Sequence, residues 1–137
     1  MDKVKILWID DDINLKLRSY IDELNENGFE VMGVECPDEC ERILSEQHDF
    51  QCIVVDLIMP PGEKMKEDAK GGFNTGLLLL ENFVKNEKLA NVKKVVFTIR
   101  LDAEVINFCK NNNVCYLKKG DFLPDTFVKQ IRTIIET

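Results

Sequence analysis

The tightest constraint on the fold of this chain is an alternation. Five short runs are apolar almost throughout and rich in β-branched residues: VKILWI at 4–9, FEVMGV at 29–34, QCIVV at 51–55, KVVFT at 94–98 and VCYL at 114–117. Strands apolar at nearly every position suit a sheet covered on both faces. The stretches between them carry a helical period. Ile13, Leu17, Tyr20, Ile21 and Leu24 form one stripe, closed by Asn27-Gly28. Pro37 opens a second helix through Cys40, Ile43 and Leu44. Leu77, Leu80, Phe83 and Val84 mark a third, Val105, Ile106 and Cys109 a fourth, and Phe127, Val128, Ile131, Ile134 and Ile135 a fifth. Five strands alternating with five helices predict an α/β protein, a doubly wound parallel sheet with right-handed crossovers.

A length of 137 residues suits a single domain spanning 1–137. One stretch breaks the alternation: PPGEKMKEDAKGG, residues 60–72, mixes charges with prolines and glycines and is expected to be an extended loop. No apolar run approaches the roughly 20 residues that span a bilayer, and the start lacks the apolar core of a secretory signal, so the expected location is cytoplasmic. A net charge of −7 argues against direct nucleic-acid binding, where Lys and Arg must neutralise phosphates. Protein partners and cations remain. The five cysteines are an odd set; Cys52 and Cys115 sit in apolar strands, so small buried hydrophobes are expected rather than disulfides. Cys36 and Cys40 lack a second close pair and have only His48 to complete a zinc site, and His48 is expected at the surface.

In an open α/β sheet, ligands bind beyond the carboxyl ends of the strands. There the first strand carries Asp10-Asp11, the third Asp56, the fourth Thr98 and the fifth Lys118-Lys119. Carboxylates converging on one edge repel each other unless a cation lies among them, and hard oxygen ligands with room for water favour Mg²⁺ over zinc. Asp56, a solitary charge after an apolar strand, can serve as metal ligand, nucleophile or both. Asp12 reads as a helix N-cap. A lysine and a hydroxyl facing the acids would complete a site for a phosphoryl group.

With these residues in this order, the whole chain resembles the receiver domains of two-component response regulators. The resemblance rests on Asp10-Asp11 after the first strand, Asp56 in VVDLIMP, Thr98 in VVFT and Lys119 in CYLKKGDF. It implies a flavodoxin-like sheet of strand order 2-1-3-4-5. It further implies that Asp56 accepts a phosphoryl group from a histidine kinase or histidine phosphotransfer protein. Asp11, Asp56 and the Ile58 backbone carbonyl would ligate Mg²⁺, with Asp10 acting through water. Lys119 would contact the acyl phosphate. Thr98 and then Tyr116 would move as a switch, changing affinity for a downstream effector. Aligning Tyr116 with the switch aromatic selects Lys119, with Lys118 as the alternative. Gly120 stands where the family usually has a proline after a cis bond. Ile58, Ile99 and Arg100 occupy positions that in the family tune phosphoryl lifetime; bulky Ile99, where a small residue is usual, leads to an expectation of slow self-hydrolysis. Homodimerisation through the fourth and fifth helices stays open, as does whether the chain works alone or within a longer regulator.

Three other functions compete with this one. An aspartyl phosphohydrolase wants a second acid two residues after the nucleophile, and Asp56 is followed by Leu57 and Ile58. A flavin site wants a Gly, Ser and Thr-rich loop after the first strand, where this chain has three aspartates. The alternative that survives is a receiver-like protein-binding platform independent of phosphorylation. The leading expectation is a regulatory phosphoacceptor, not an enzyme acting on a separate substrate.

Overall fold

A computed structural model describes residues 3–62 and 71–137. Most of the expected 60–72 loop, residues 63–70, lies outside the described residues. The elements run β1 (Val4–Ile9), α1 (Arg18–Glu26), β2 (Phe29–Val34), α2 (Pro37–Glu46), β3 (Cys52–Val55), α3 (Thr75–Lys85), β4 (Lys93–Thr98), α4 (Ala103–Asn111), β5 (Cys115–Lys118) and α5 (Pro124–Glu136). A 3₁₀ turn, Glu87–Leu89, precedes β4.

All four strand pairings are parallel, and the spatial order is β2-β1-β3-β4-β5, as the resemblance implied. The pleat explains why the strands are apolar at consecutive positions. Leu7, Ile9, Ile53, Val55 and Val96 pack on one face with Cys40 and Ile43 of α2, Leu79, Leu80 and Phe83 of α3, and Val105 and Cys109 of α4. Ile6, Trp8, Val54, Val95 and Phe97 point to the other face, toward Leu24 of α1 and Phe127, Val128, Ile131 and Ile134 of α5. Trp8 stacks on Phe127 with ring centroids 5.1 Å apart, and Phe97 lies 4.6 Å from Phe127. Each such fully buried side chain contributes roughly 1.5–3 kcal/mol, which fixes β1 and β3 at the sheet centre and hence the acids that follow them.

The structure corrects several local expectations. α1 begins at Arg18 after a run of turns, its N-cap is Leu17, and Asp12 does not cap it. The Asp12 amide donates instead to the Asp10 carboxylate at 2.8 Å, folding the 10–12 segment into a turn. Ile106 is 43% exposed, because Val105 and Cys109, four residues apart, already form the stripe of α4 that meets the sheet. Cys115 is exposed at the start of the edge strand β5, whereas Cys40, Cys52 and Cys109 are buried as expected. His48 is exposed, also as expected. No described helix is long and apolar enough to cross a membrane.

Candidate acidic site

The ends of β1, β3, β4 and β5 bring the expected residues to one edge. Asp10 directly follows β1 and is fully buried; Asp56 directly follows β3 and is 5% exposed. The Asp56 amide donates to the Ile9 carbonyl at 3.0 Å, continuing the β1–β3 pairing and setting the two aspartates side by side. The Lys119 amide donates to the Thr98 carbonyl at 2.8 Å, extending the β4–β5 pairing by one residue. That register turns the Lys119 side chain inward. Its ammonium lies 2.8 Å from Asp10 Oδ2 and 3.2 Å from Asp56 Oδ2, while Lys118 is exposed. Of the two lysines, Lys119 is the one at the acids. Gly120 follows it at φ 98° through a trans peptide bond, a backbone conformation that suits glycine.

Carboxylate oxygens of Asp10, Asp11 and Asp56 lie within 4.8 Å of one another. Burial, then the charge of Asp56, pushes the Asp10 carboxyl above its ordinary value, against the opposing hydrogen bond from Lys119. Burial, then Asp10 and Asp12, raises Asp11 as well. For Lys119, burial acts to lower the pKa, but the two carboxylates outweigh it and the net shift is upward. One ammonium set against three carboxylates leaves excess negative charge in a partly desolvated pocket. The donor set fits a small divalent cation: the ligands are hard oxygens, and oxygens about 2.1 Å from Mg²⁺ stand roughly 3–4 Å apart, within the observed spread. Ile58, whose carbonyl was expected to join them, is half-buried in the bend after β3.

Thr98 ends β4 and is fully buried, its hydroxyl oxygen accepting a hydrogen bond from the Arg100 amide at 3.2 Å. Tyr116 is partly buried and its hydroxyl donates to the Arg100 carbonyl at 2.8 Å. Ile99, between Thr98 and Arg100 in the β4–α4 connection, is 68% exposed.

One contributor, Gly76, has no place in the sequence reading, and a second, Arg100, has there only a tuning position without its burial or partners. Gly76, in the first turn of α3, donates its amide to the Leu57 carbonyl at 3.0 Å, and a Cβ there would collide with the Asp56 carbonyl oxygen. Its absence of a side chain lets α3 press on the backbone carrying Asp56; the signal was a lone glycine opening an otherwise leucine-rich helix. Arg100 is buried and ion-paired to Asp102 and Glu104. The sequence signal was the two acids, two and four residues on. A pocket of about 390 Å³, lined by Leu44, His48, Phe50, Leu89 and Val92 among others, lies at the amino ends of β3 and β4 and shares no side chain with the acids.

No family model and no curated protein matches the chain. Solved structures do. A CheY-like response regulator receiver domain protein from Methanospirillum hungatei superposes with a TM-score of 0.77 at 23% identity, covering 98% of this chain and 94% of that one. The fold is that of response regulator receiver domains. A response regulator from Thermotoga maritima gives 0.73 at 19% identity, covering 98% and 99%. The Vibrio cholerae chemotaxis protein CheY4 gives 0.75 at 20%, covering 96% and 98%. At these identities the likeness carries the architecture, and the chemistry has to be argued from the acidic edge itself.

Proposed function

We propose that this chain is a phosphoacceptor regulatory domain of the two-component type, with Asp56 as the acceptor. The observation that carries the reading is the Lys119 ammonium bridging Asp10 and Asp56 beside Asp11. A phosphoryl group spreads negative charge over three oxygens and asks for cations and a hydrogen-bond donor around it. Lys119 and the Thr98 hydroxyl are the groups this chain offers. Asp11, Asp56 and the Ile58 carbonyl would hold Mg²⁺ directly, and Asp10 through water; the ion would supply charge neutralisation for the incoming phosphate.

In the proposed transfer, an Asp56 oxygen forms a bond to phosphorus as the bond to a donor histidine nitrogen breaks. The nitrogen keeps the electron pair and takes up a proton. The donor is a sensor histidine kinase or a histidine phosphotransfer protein. Thr98 and Tyr116 then change position, and the altered surface changes its affinity for a downstream effector protein or domain in the cytoplasm. Ile58, Ile99 and Arg100 tune how long the phosphoryl group stays. No direct contact with nucleic acid is invoked, consistent with the net charge of −7.

The test is intact mass after incubation with Mg²⁺ and acetyl phosphate, beside Asp56→Ala. An adduct of about 80 Da on the native chain alone, absent with EDTA, supports the reading. Mg²⁺ binding without an adduct would instead favour the phosphorylation-independent binding platform.

A further inference from the structure

Among the described residues, the buried charged side chains are Asp10, Asp56 and Arg100. The two aspartates belong to the acidic site, whereas Arg100 lies beyond the end of β4. A buried guanidinium is costly unless its donors are matched. Here they are matched from two loops. Arg100 Nε lies 2.5 Å from Asp102 Oδ2 and an Nη lies 2.8 Å from Glu104 Oε1, both acids belonging to the β4–α4 side. The other Nη donates to the Phe73 carbonyl at 3.1 Å and to Asn74 Oδ1 at 3.0 Å, at the end of the segment joining β3 to α3. The guanidinium carbon sits 4.0 Å from the Phe73 ring centroid. Asp102 is itself fixed, because its carboxylate accepts the Val105 amide and caps α4. The side chain is thus a strap from a rigid helix start to the neighbouring loop.

The backbone of the same residue holds both side chains assigned to the switch. Its amide donates to Thr98 Oγ1 and its carbonyl accepts from the Tyr116 hydroxyl. A Thr98 hydroxyl that turned toward a phosphoryl group on Asp56 would give up the Arg100 amide. The backbone so released carries a planar fork whose acceptors are set in two different loops, and such a fork does not slide: it keeps its partners or loses them.

We infer that Arg100 is a positioning residue that couples Thr98 to the Phe73–Asn74 end of the segment following Asp56. A change at Thr98 is transmitted to that loop end, and whatever binds or clamps the loop end around Phe73, which is 45% exposed, biases Thr98 in return. This deepens the proposed function and rests on it for the phosphoryl part, but the Thr98–Arg100–Phe73 linkage itself is testable without phosphate.

The experiment is amide hydrogen exchange at Met59, Thr75 and Gly76, whose amides donate to Gly72, Gly72 and Leu57 carbonyls and so report the loop end. In the unloaded protein, Arg100→Lys and Thr98→Val are both expected to accelerate these amides several-fold while the Leu80 amide in mid-α3 is unchanged. Lysine keeps the charge but cannot span both loops. Arg100→Ala should behave like Arg100→Lys where it folds. Unchanged exchange in Thr98→Val overturns the coupling. With Mg²⁺ and beryllofluoride, a phosphoryl mimic, the three amides should change in the native chain and not in Arg100→Lys. In that variant, Mg²⁺ affinity should stay within about twofold while phosphoryl lifetime shifts several-fold, a split that general loosening of the fold would not give. A native chain that binds the mimic without change at the three amides overturns the inference and leaves the phosphoacceptor reading standing. A native chain that binds Mg²⁺ but neither the mimic nor a phosphoryl group overturns that reading, and the Thr98→Val exchange then decides the linkage.

Discussion

The Lys119 ammonium lies 2.8 Å from Oδ2 of Asp10, a residue at the opposite end of the sequence, and the pair is nearly closed to water, with side-chain exposures of 19% and 0%. The same ammonium reaches Asp56 at 3.2 Å, so one cation serves two buried acids. Removing it leaves both uncompensated. Lys119→Met is expected to cost about 3 kcal/mol of stability in EDTA, the low end for a broken buried pair because the ammonium is partly exposed and water can reach the pocket. Millimolar Mg²⁺ should restore most of that loss, and Mg²⁺ should bind the variant several-fold more tightly than the native chain, since Lys119 no longer offsets the acids. Acetyl phosphate should still fail to label it. Thermal denaturation with and without Mg²⁺ checks the first two points and intact mass the third.

The raised Asp10 carboxyl has a pH consequence with a definite sign. A native state that binds a proton more tightly than the unfolded chain loses stability as pH rises between the two pKa values. Burial and Asp56 place the folded pKa of Asp10 above the ordinary carboxylate value. Without divalent cation, the native chain should therefore lose stability relative to Asp10→Asn as pH rises above about 4. The gap should stop widening once the raised folded value is passed. Paired urea titrations from pH 4 to 8 in EDTA measure it. A gap that is constant over that range, or one that closes as pH rises, would contradict the assignment.

Gly76 makes the sharpest steric claim. A methyl group there would meet backbone at Asp56 and Leu57, which cannot rotate away as a side chain could. Gly76→Ala is expected to destabilise by about 3 kcal/mol, the upper part of the range for overpacking, despite alanine's better helix propensity. It should also weaken Mg²⁺ binding, because α3 would be pushed off the segment that carries Asp56. Gly28, with nothing near its hypothetical Cβ but a φ of 92°, is a useful contrast: its alanine variant should lose some stability through backbone strain and leave Mg²⁺ affinity alone.

Sequence made the layers legible because sheet burial demands apolar residues at consecutive positions, and few other folds use that pattern between helical stripes. β1 and β2 match the expected runs residue for residue, and the acids, Thr98 and Lys119 reach one edge because strand ends in a parallel sheet all point the same way. What failed was local. The turn over Asp10–Asp12 competes with capping through the Asp10 carboxylate, and periodicity is blind to such side-chain bonds. Arg100 was placed at a tuning position but its burial was not foreseen, because its partners Phe73 and Asn74 lie 27 and 26 residues away across the fold. Ile106 was assigned to the core stripe, yet a helix lying on one edge of a sheet buries a narrower arc than three adjacent apolar residues occupy.

The cysteines give a prediction that tests the packing of the sheet directly. Burial pushes the thiols of Cys40 and Cys52 up to about 12 and that of Cys109 to about 11, so at neutral pH each is protonated as well as shielded. Cys115 is exposed and Cys36 half-buried. At pH 8 a maleimide or disulfide reagent should label Cys115 in a fast phase and Cys36 more slowly. The other three should react only at the rate at which the structure opens, and all five at one fast rate in denaturant. The Cys115→Ser variant should lose the fast phase alone, because Cys115 is the exposed thiol and serine replaces it with little change in size. A fast phase that survives that substitution would mean that β5 or α4 is less tightly docked than the burial of Cys109 and Leu117 requires.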